Sequence, residues 1–267
     1  MSELRVRLAP GAHVFLRGQR AVQFGLDATR SGVVELAQAP LVVSELLKTR
    51  KPHTVAQVVH HLSTLGLSLA AARSLVDDLL AFEILVPVRA ESVVLLGRGA
   101  LAVTTSSLLE ESGVRVRTPV RGESELSYLA KTDVSGPVLV VDRLAHARVM
   151  APALARCART WVSGAIVDKR GVVGPVRVTS RGACPLCVDL HRTDQDEFWH
   201  RVVTQLPGGP VAPDPVVVAA TAVRLAVVTL DMLRGQAPPP GQTFTIDPYG
   251  MDEEAVWGTH PRCPVCF

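Results

Sequence analysis

Four of the five cysteines fall into two C-x-x-C pairs, Cys184/Cys187 in ACPLC and Cys263/Cys266 in RCPVC. Each pair has the spacing that lets two thiolates chelate one ion. Four thiolates together make the closed tetrahedral set that most often holds structural zinc. A redox pair is the competing chemistry, but that motif sits once per domain at the start of a helix after a strand. Here it occurs twice, each time with a proline after the first cysteine. Four sulfur ligands leave no open coordination position, so such an ion would hold structure and not activate water. The stretch 188–262 lies between the pairs, which is far longer than a compact zinc finger. The ion would therefore tie the end of the chain to an internal loop across intervening structure. Cys157 has no partner at metal spacing and reads as a buried apolar thiol. His191 and His200 lie near the first pair and read as surface or packing residues, since four thiolates already complete a ligand set.

The elements that must position these residues come from a chain of 267 residues, 48% hydrophobic and 20% charged, enough for one large domain or two small ones. That composition excludes a disordered or collagen-like chain. A formal charge of +3 does not announce nucleic acid, and 4% aromatics argue against stacked bases or sugars. The longest apolar stretch, Val216 to Val228, carries Arg224 and is shorter than a spanning helix requires, so no membrane segment is expected. The opening MSELRVRLAPG shows no secretory pattern, and a soluble cytoplasmic protein is the expectation.

Two regions read differently. Residues 1–88 begin with short alternating runs, LRVRLAP, HVFLRG and RAVQFGL, which predict strands. Three amphipathic helices follow, over Pro40–Thr49, Thr54–Leu65 and Ser68–Phe82, and then the strand EILVPV. This small α+β module resembles a winged helix. Its third helix carries Asp77, Asp78 and Glu83 with Arg73 as its one basic residue, so duplex DNA is not the expected partner. From Glu91 the pattern becomes α/β. SVVLLGRGALAVTTSSLLEESG is a buried strand, a glycine turn and a helix, in which Gly97, Gly99 and Ala102 fit G-x-G-x-x-G/A. The acidic residue that would hold a ribose hydroxyl is missing, because the next strand, VRVRTPV, offers only Arg115 and Arg117. GPVLVVD, ending at Asp142, gives another parallel strand, and the helix HARVMAPALARCAR follows it. TWVSGAIVD and GVVGPVRVTS lead as strands into the first cysteine pair. LPGGPVAPDP reads as a loop, Pro215–Leu233 as a core helix closed by Gly235, and TFTIDPYG as a strand before the second pair.

In this order VVLLGRGALA, the aspartate-ended strand VLVVD with its Arg-bearing helix, and the knuckles ACPLC and HPRCPVC resemble the ThiF/MoeB family of ubiquitin-activating-type adenylyltransferases. The resemblance covers residues 91–267 and implies a Rossmann-like domain with a structural zinc held by Cys184, Cys187, Cys263 and Cys266. Members of that family bind ATP·Mg²⁺ and adenylate a C-terminal glycine, using Asn, Arg and Lys side chains between the second strand and the aspartate matching Asp142. The span 98–141 has no Asn and no acidic end to its second strand, and Met150-Ala151 stands where an Asn is expected. ATP and magnesium are therefore not expected here, and Asp142 and Arg148 are expected to remain as a strand cap and an ion pair. Phosphoryl chemistry depends on positioning and charge neutralisation, which these losses remove.

Degenerate relatives preceded by a winged-helix module resemble the partner proteins of YcaO-type cyclodehydratases. That likeness implies a non-catalytic scaffold whose N-terminal module takes a leader peptide as an added strand, with a partner modifying enzyme and a possible homodimer. The receiving edge is expected in LRVRLAP, HVFLRG and RAVQFGL, set against the helix Ser68–Phe82. Two alternatives remain: an ATP-dependent adenylyltransferase acting on a peptide or protein C-terminus, and a DNA-binding winged-helix regulator.

Overall fold

The computed structural model describes residues 4–27, 32–88 and 91–266. Residues 1–3, where the reading of the N-terminus begins, lie outside them. The chain divides into two compact units, Met1–Ala90 and Glu91–Phe267.

In the first unit, alternation places β1 (Arg5–Leu8), β2 (Val14–Arg17) and β3 (Ala21–Phe24) where the short apolar runs stand, and β4 (Val33–Glu35) extends the set. Three helices follow: α1 (Ala39–Lys48), α2 (Val55–Thr64) and α3 (Leu69–Ala81). β5 (His53–Thr54) precedes α2 and β6 (Leu85–Pro87) follows α3. Thr54 starts α2 through a reciprocal cap. Its hydroxyl accepts from the Gln57 backbone N–H at 3.1 Å, and the Gln57 side-chain Oε1 accepts from the Thr54 N–H at 2.9 Å. Ser68 caps α3 in the same sense, accepting from the Ala71 N–H at 3.2 Å. Val22, Phe24, Leu46, Leu62, Val76 and Leu85 close one apolar core.

The strands differ from expectation in their partners. β1 is the middle strand of a sheet ordered β5-β1-β6, whereas β2 and β3 belong to a separate antiparallel sheet, β2-β3-β4. The second sheet packs on α1, and α3 packs on α2 and β6. The expected single edge against Ser68–Phe82 is therefore corrected: of the three runs, only HVFLRG supplies an outer strand of the β2-β3-β4 sheet. The cause is the turn Ala9–Ala12, whose backbone bond from Ala12 N–H to Ala9 O (3.0 Å) redirects the chain between β1 and β2.

The second unit is built on β7 (Ser92–Leu96), β8 (Arg115–Arg117), β9 (Val138–Val141), β10 (Trp161–Val167), β11 (Arg170–Arg177), β12 (Gln242–Ile246) and β13 (Glu253–Val256). They form one sheet in the order β13-β12-β11-β10-β9-β7-β8. The β8, β7, β9 and β10 strands run parallel, and the rest pair antiparallel. β7 and β9 are near-continuous apolar runs, as strands covered on both faces must be.

Helices α4 (Ala100–Glu111) and α9 (Pro215–Arg234) cover one face; α5 (Glu125–Lys131), α6 (Ala147–Cys157) and α7 (Pro185–Gln195) contribute to the core on the other, with α8 (Trp199–Val203) following α7. Asp214 caps α9 by accepting the Val216 N–H at 2.8 Å, and Gly235 closes it in the left-handed region. By length and composition α9 could cross a bilayer, with a mean hydropathy of 2.0, yet half of that window is buried within the protein. Its buried face, Val217, Leu225 and Val228 among others, is part of the core against the sheet. The α/β class and the order of elements follow the sequence reading; α5 and β13 are additional.

Candidate metal centre

The first cysteine pair sits where a strand–loop–helix junction can aim sulfur inward. Cys184 is the N-cap of α7 and Pro185 its first residue, a position where proline costs no hydrogen bond. Cys187 lies on the first turn, so both sulfurs face the positive end of the helix, which favours thiolate. The Cys187 backbone N–H donates to the Cys184 sulfur. The second pair repeats the arrangement on a tight turn, in which the Val265 and Cys266 N–H groups donate to the Cys263 sulfur.

The fold brings the two pairs together. Sγ of Cys184 lies 3.7 Å from that of Cys187 and 3.5 Å from that of Cys263, and Cys187 lies 3.6 Å from Cys266. All four sulfurs fall within 4.8 Å of one another. Thiolates held at about 2.3 Å around a tetrahedral ion stand ~3.8 Å apart, so the set fits a tetrathiolate ion such as zinc. These separations are far longer than a disulfide of ~2.05 Å, and all four cysteines are free thiols. Three are buried and Cys266 is half-buried.

Electrostatics around the cluster point the same way. The hydrogen bond from Cys184 holds the Cys187 thiol down at about 4. That shared bond and burial push Cys184 up, and burial raises Cys263. Four thiolates packed this closely need a cation to ionise together. Arg177, itself buried, donates from Nη1 to the Cys266 sulfur at 3.5 Å and to the Gly182 carbonyl at 2.8 Å. Its charge offsets the net negative charge of a tetrathiolate site.

His191 and His200 stay outside the cluster. The His191 ring reaches the Gly258 carbonyl at 3.1 Å and packs on Trp257, while His200 faces Asp189 at 3.4 Å. Cys157 is half-buried near the end of α6 and packs against the neighbouring apolar cluster. Sequence reasoning missed a latch. Buried His260 pairs with Asp194 at 2.8 Å, Arg262 pairs with the same carboxylate, and the Cys263 N–H donates to the His260 carbonyl at 2.9 Å. The latch fixes the second knuckle to the end of α7. The available signal was a histidine three residues before Cys263, with its partner hidden 66 residues upstream.

The glycine turn forms as expected. Gly97 has φ +133, and a Cβ there would stand 2.6 Å from the Val141 carbonyl, so only glycine lets β7 turn this close to β9. Gly99 caps α4. Asp142 follows β9 at φ 52. Its N–H donates to the Gly164 carbonyl at 2.8 Å, and its Oδ1 accepts the Ile166 N–H at 3.0 Å. It therefore stitches β9 to β10, and burial pushes its carboxyl above the ordinary range.

The LPGGP loop lies against this bend. A Cβ on Gly209 would reach Cβ and Cγ of Asp142 at 2.7 Å, and one on Gly99 would meet the Gly208 carbonyl at 3.7 Å. Arg148 ion-pairs with Asp189 at 3.0 Å. Asp142 and Arg148 thus hold the cap and ion-pair roles expected of them, through separate partners.

No protein-family model matches this sequence, and no curated protein sequence matches it. Solved structures do. A heterocyclase in complex with substrate and cofactor superposes with a TM-score of 0.58 at 15% identity over 99% of this chain and 40% of its own. The heterocyclase TruD gives 0.57 at 16% identity over 98% of this chain and 43% of its own. E. coli MccB, solved with MccA, gives 0.53 at 14% identity over 98% of this chain and 99% of its own. This chain shares their fold. It spans about two-fifths of the length of each heterocyclase and almost the whole of MccB.

Proposed function

We propose that this protein is a non-catalytic, zinc-stabilised scaffold that binds a leader peptide and presents it to a partner modifying enzyme such as a YcaO-type cyclodehydratase. One observation carries the proposal: a complete thiolate set coexists with a glycine bend that has no Asn and no acidic strand end beside it and has Gly209 close against Asp142. Zinc held by Cys184, Cys187, Cys263 and Cys266 ties α7 to the chain's last turn, and apparent binding of ~10–16 kcal/mol makes it a main source of stability for that unit. The lack of Asn and of an acidic strand end between Gly97 and Asp142, with Gly209 close against Asp142, supports a site that works without a triphosphate. Similarity to heterocyclases and to MccB solved with MccA supports a role in peptide modification. The peptide adds as a strand to an outer edge of the β2-β3-β4 sheet, where an unpaired backbone offers hydrogen bonds. Self-association belongs to the same proposal, and sedimentation equilibrium of the full chain reads it directly.

The test has two parts. A precursor peptide encoded beside the gene should bind the zinc-loaded chain in a fluorescence anisotropy titration, and N-methylation of alternate peptide amides should abolish binding. Calorimetry with ATP and magnesium should show no heat of binding, and a micromolar affinity would overturn the scaffold reading. The end-to-end match to MccB, which has been solved with AMPCPP, favours an adenylyltransferase as the second reading. It requires pyrophosphate exchange that Asp142→Ala removes.

A further inference from the structure

On the face of the sheet that carries α7, a narrow cleft lies between β9–β12 and the helix. Its walls are mostly apolar, with Val140, Ala147, Val172, Pro175 and Val188 among them, and Trp199 and Trp257 also line it. Three ionic side chains reach into this apolar space, and two of them are answered. Arg143 donates from Nε and Nη2 to both oxygens of Glu125 at 2.8 and 2.6 Å. Asp189 accepts from Arg148 at 3.0 Å and faces His200 at 3.4 Å.

Arg192 is not answered. It lies one turn beyond Asp189 on α7, but that carboxylate is already engaged. Its Nε is buried with no hydrogen-bond partner, and among the described residues its guanidinium meets no carboxylate. It stacks on the Trp199 indole, with Cζ 4.5 Å from the ring centroid. Stacking fixes the plane of the guanidinium and leaves its in-plane donors free. Burial alone pushes its pKa down, with no neighbouring anion to restore it. A cation desolvated without a counter-charge is costly, and a planar fork of N–H donors is best satisfied by a carboxylate bound through two oxygens.

The geometry points to a binding site for a carboxylate carried on an apolar group, with Arg192 taking the carboxylate and the Val140–Val172–Trp257 walls taking the body. The site is separate from the peptide-docking sheet of the first unit and does not depend on that proposal. The carboxylate could come from the free C-terminus of a peptide or from a small free acid, and the probes separate these sources.

The experiment is a tryptophan-fluorescence titration of the full, zinc-loaded chain, since Trp199 and Trp257 line the cleft while Trp161 lies in the core. The probes are N-acetyl-leucine, N-acetyl-leucinamide and 4-methylpentanoate. N-acetyl-leucine should bind saturably, and its amide at least about tenfold more weakly, the scale of a lost charge-assisted hydrogen bond. Arg192→Gln should erase the difference between acid and amide. Arg192→Lys should keep part of it, and both variants should retain wild-type zinc content and thermal stability. N-acetyl-leucine binding more tightly than 4-methylpentanoate assigns the site to peptide C-termini; equal affinity assigns it to free acids, and either supports the site. Acid and amide binding alike, no binding of any probe, or an Arg192→Gln protein that still discriminates overturns it.

Discussion

The cysteine cluster and the glycine bend occupy the same α/β unit, yet the chain has treated them in opposite ways. At the cluster every donor is present. Sulfurs 3.5–3.7 Å apart are supported by backbone N–H groups, a buried arginine and a latch from His260 to Asp194. At the bend Gly97 turns against Val141, and Gly209 of the following loop lies close against Asp142. A site that stabilises the fold keeps its side chains because losing one leaves the others buried and uncompensated. The glycine turn, by contrast, is needed to join strand to helix whatever side chains surround it.

The largest effect expected from this contrast lies at the cluster. Cys263→Ser should release the ion and cost more than about 4 kcal/mol, read by elemental analysis and thermal unfolding. Hydrogen exchange should show residues 184–266 loosening together, and a stable, metal-free variant would sink the clip. At the bend, Gly209→Ala forces a Cβ toward Asp142 at φ +84, with an expected loss of about 1–3 kcal/mol. The same variant sharpens the comparison when titrated with ATP and magnesium. If neither parent nor variant binds, missing side chains account for it, whereas binding by the variant alone assigns the block to the loop.

A smaller effect tests the latch. Asp194→Ala leaves the four sulfurs in place but removes the partner of His260 and Arg262, so affinity for the ion should fall about tenfold in competition with a chelator. The smallest effect belongs to Asp142. Its carboxyl is held above its ordinary value of 3.8 mainly by burial, so the folded protein binds that proton more tightly than the unfolded chain. Stability from this group is therefore present at low pH and is lost as pH rises through the folded value. Asp142→Asn can still accept the Ile166 N–H without a buried charge, so its melting temperature should slightly exceed that of the parent near about pH 8. The gap should narrow toward about pH 5.

Much of this was legible in the chain itself. Capping by Thr54, Ser68 and Asp214, the apolar runs of β7 and β9, and the glycine after α9 are local signals, and the elements form where those signals stand. β1, β2 and β3 were legible as strands but not as partners, because alternation states which face of a strand is buried and says nothing of which edge is paired. The cysteine spacing named the donors. It could not show Arg177 beside Cys266, since the two are 89 positions apart.

The sequence by itself determined the elements, the donor types, the lack of Asn between Gly97 and Asp142 and the lack of an acidic end to the strand that follows the glycine turn, all of which are read from the residues themselves. The tertiary structure alone decided that the two knuckles meet, that Gly209 lies against Asp142, and that Arg192 lines an apolar cleft with no carboxylate beside it among the described residues. Those facts join residues distant along the chain, and only the packing of helices on a closed sheet order sets their separation.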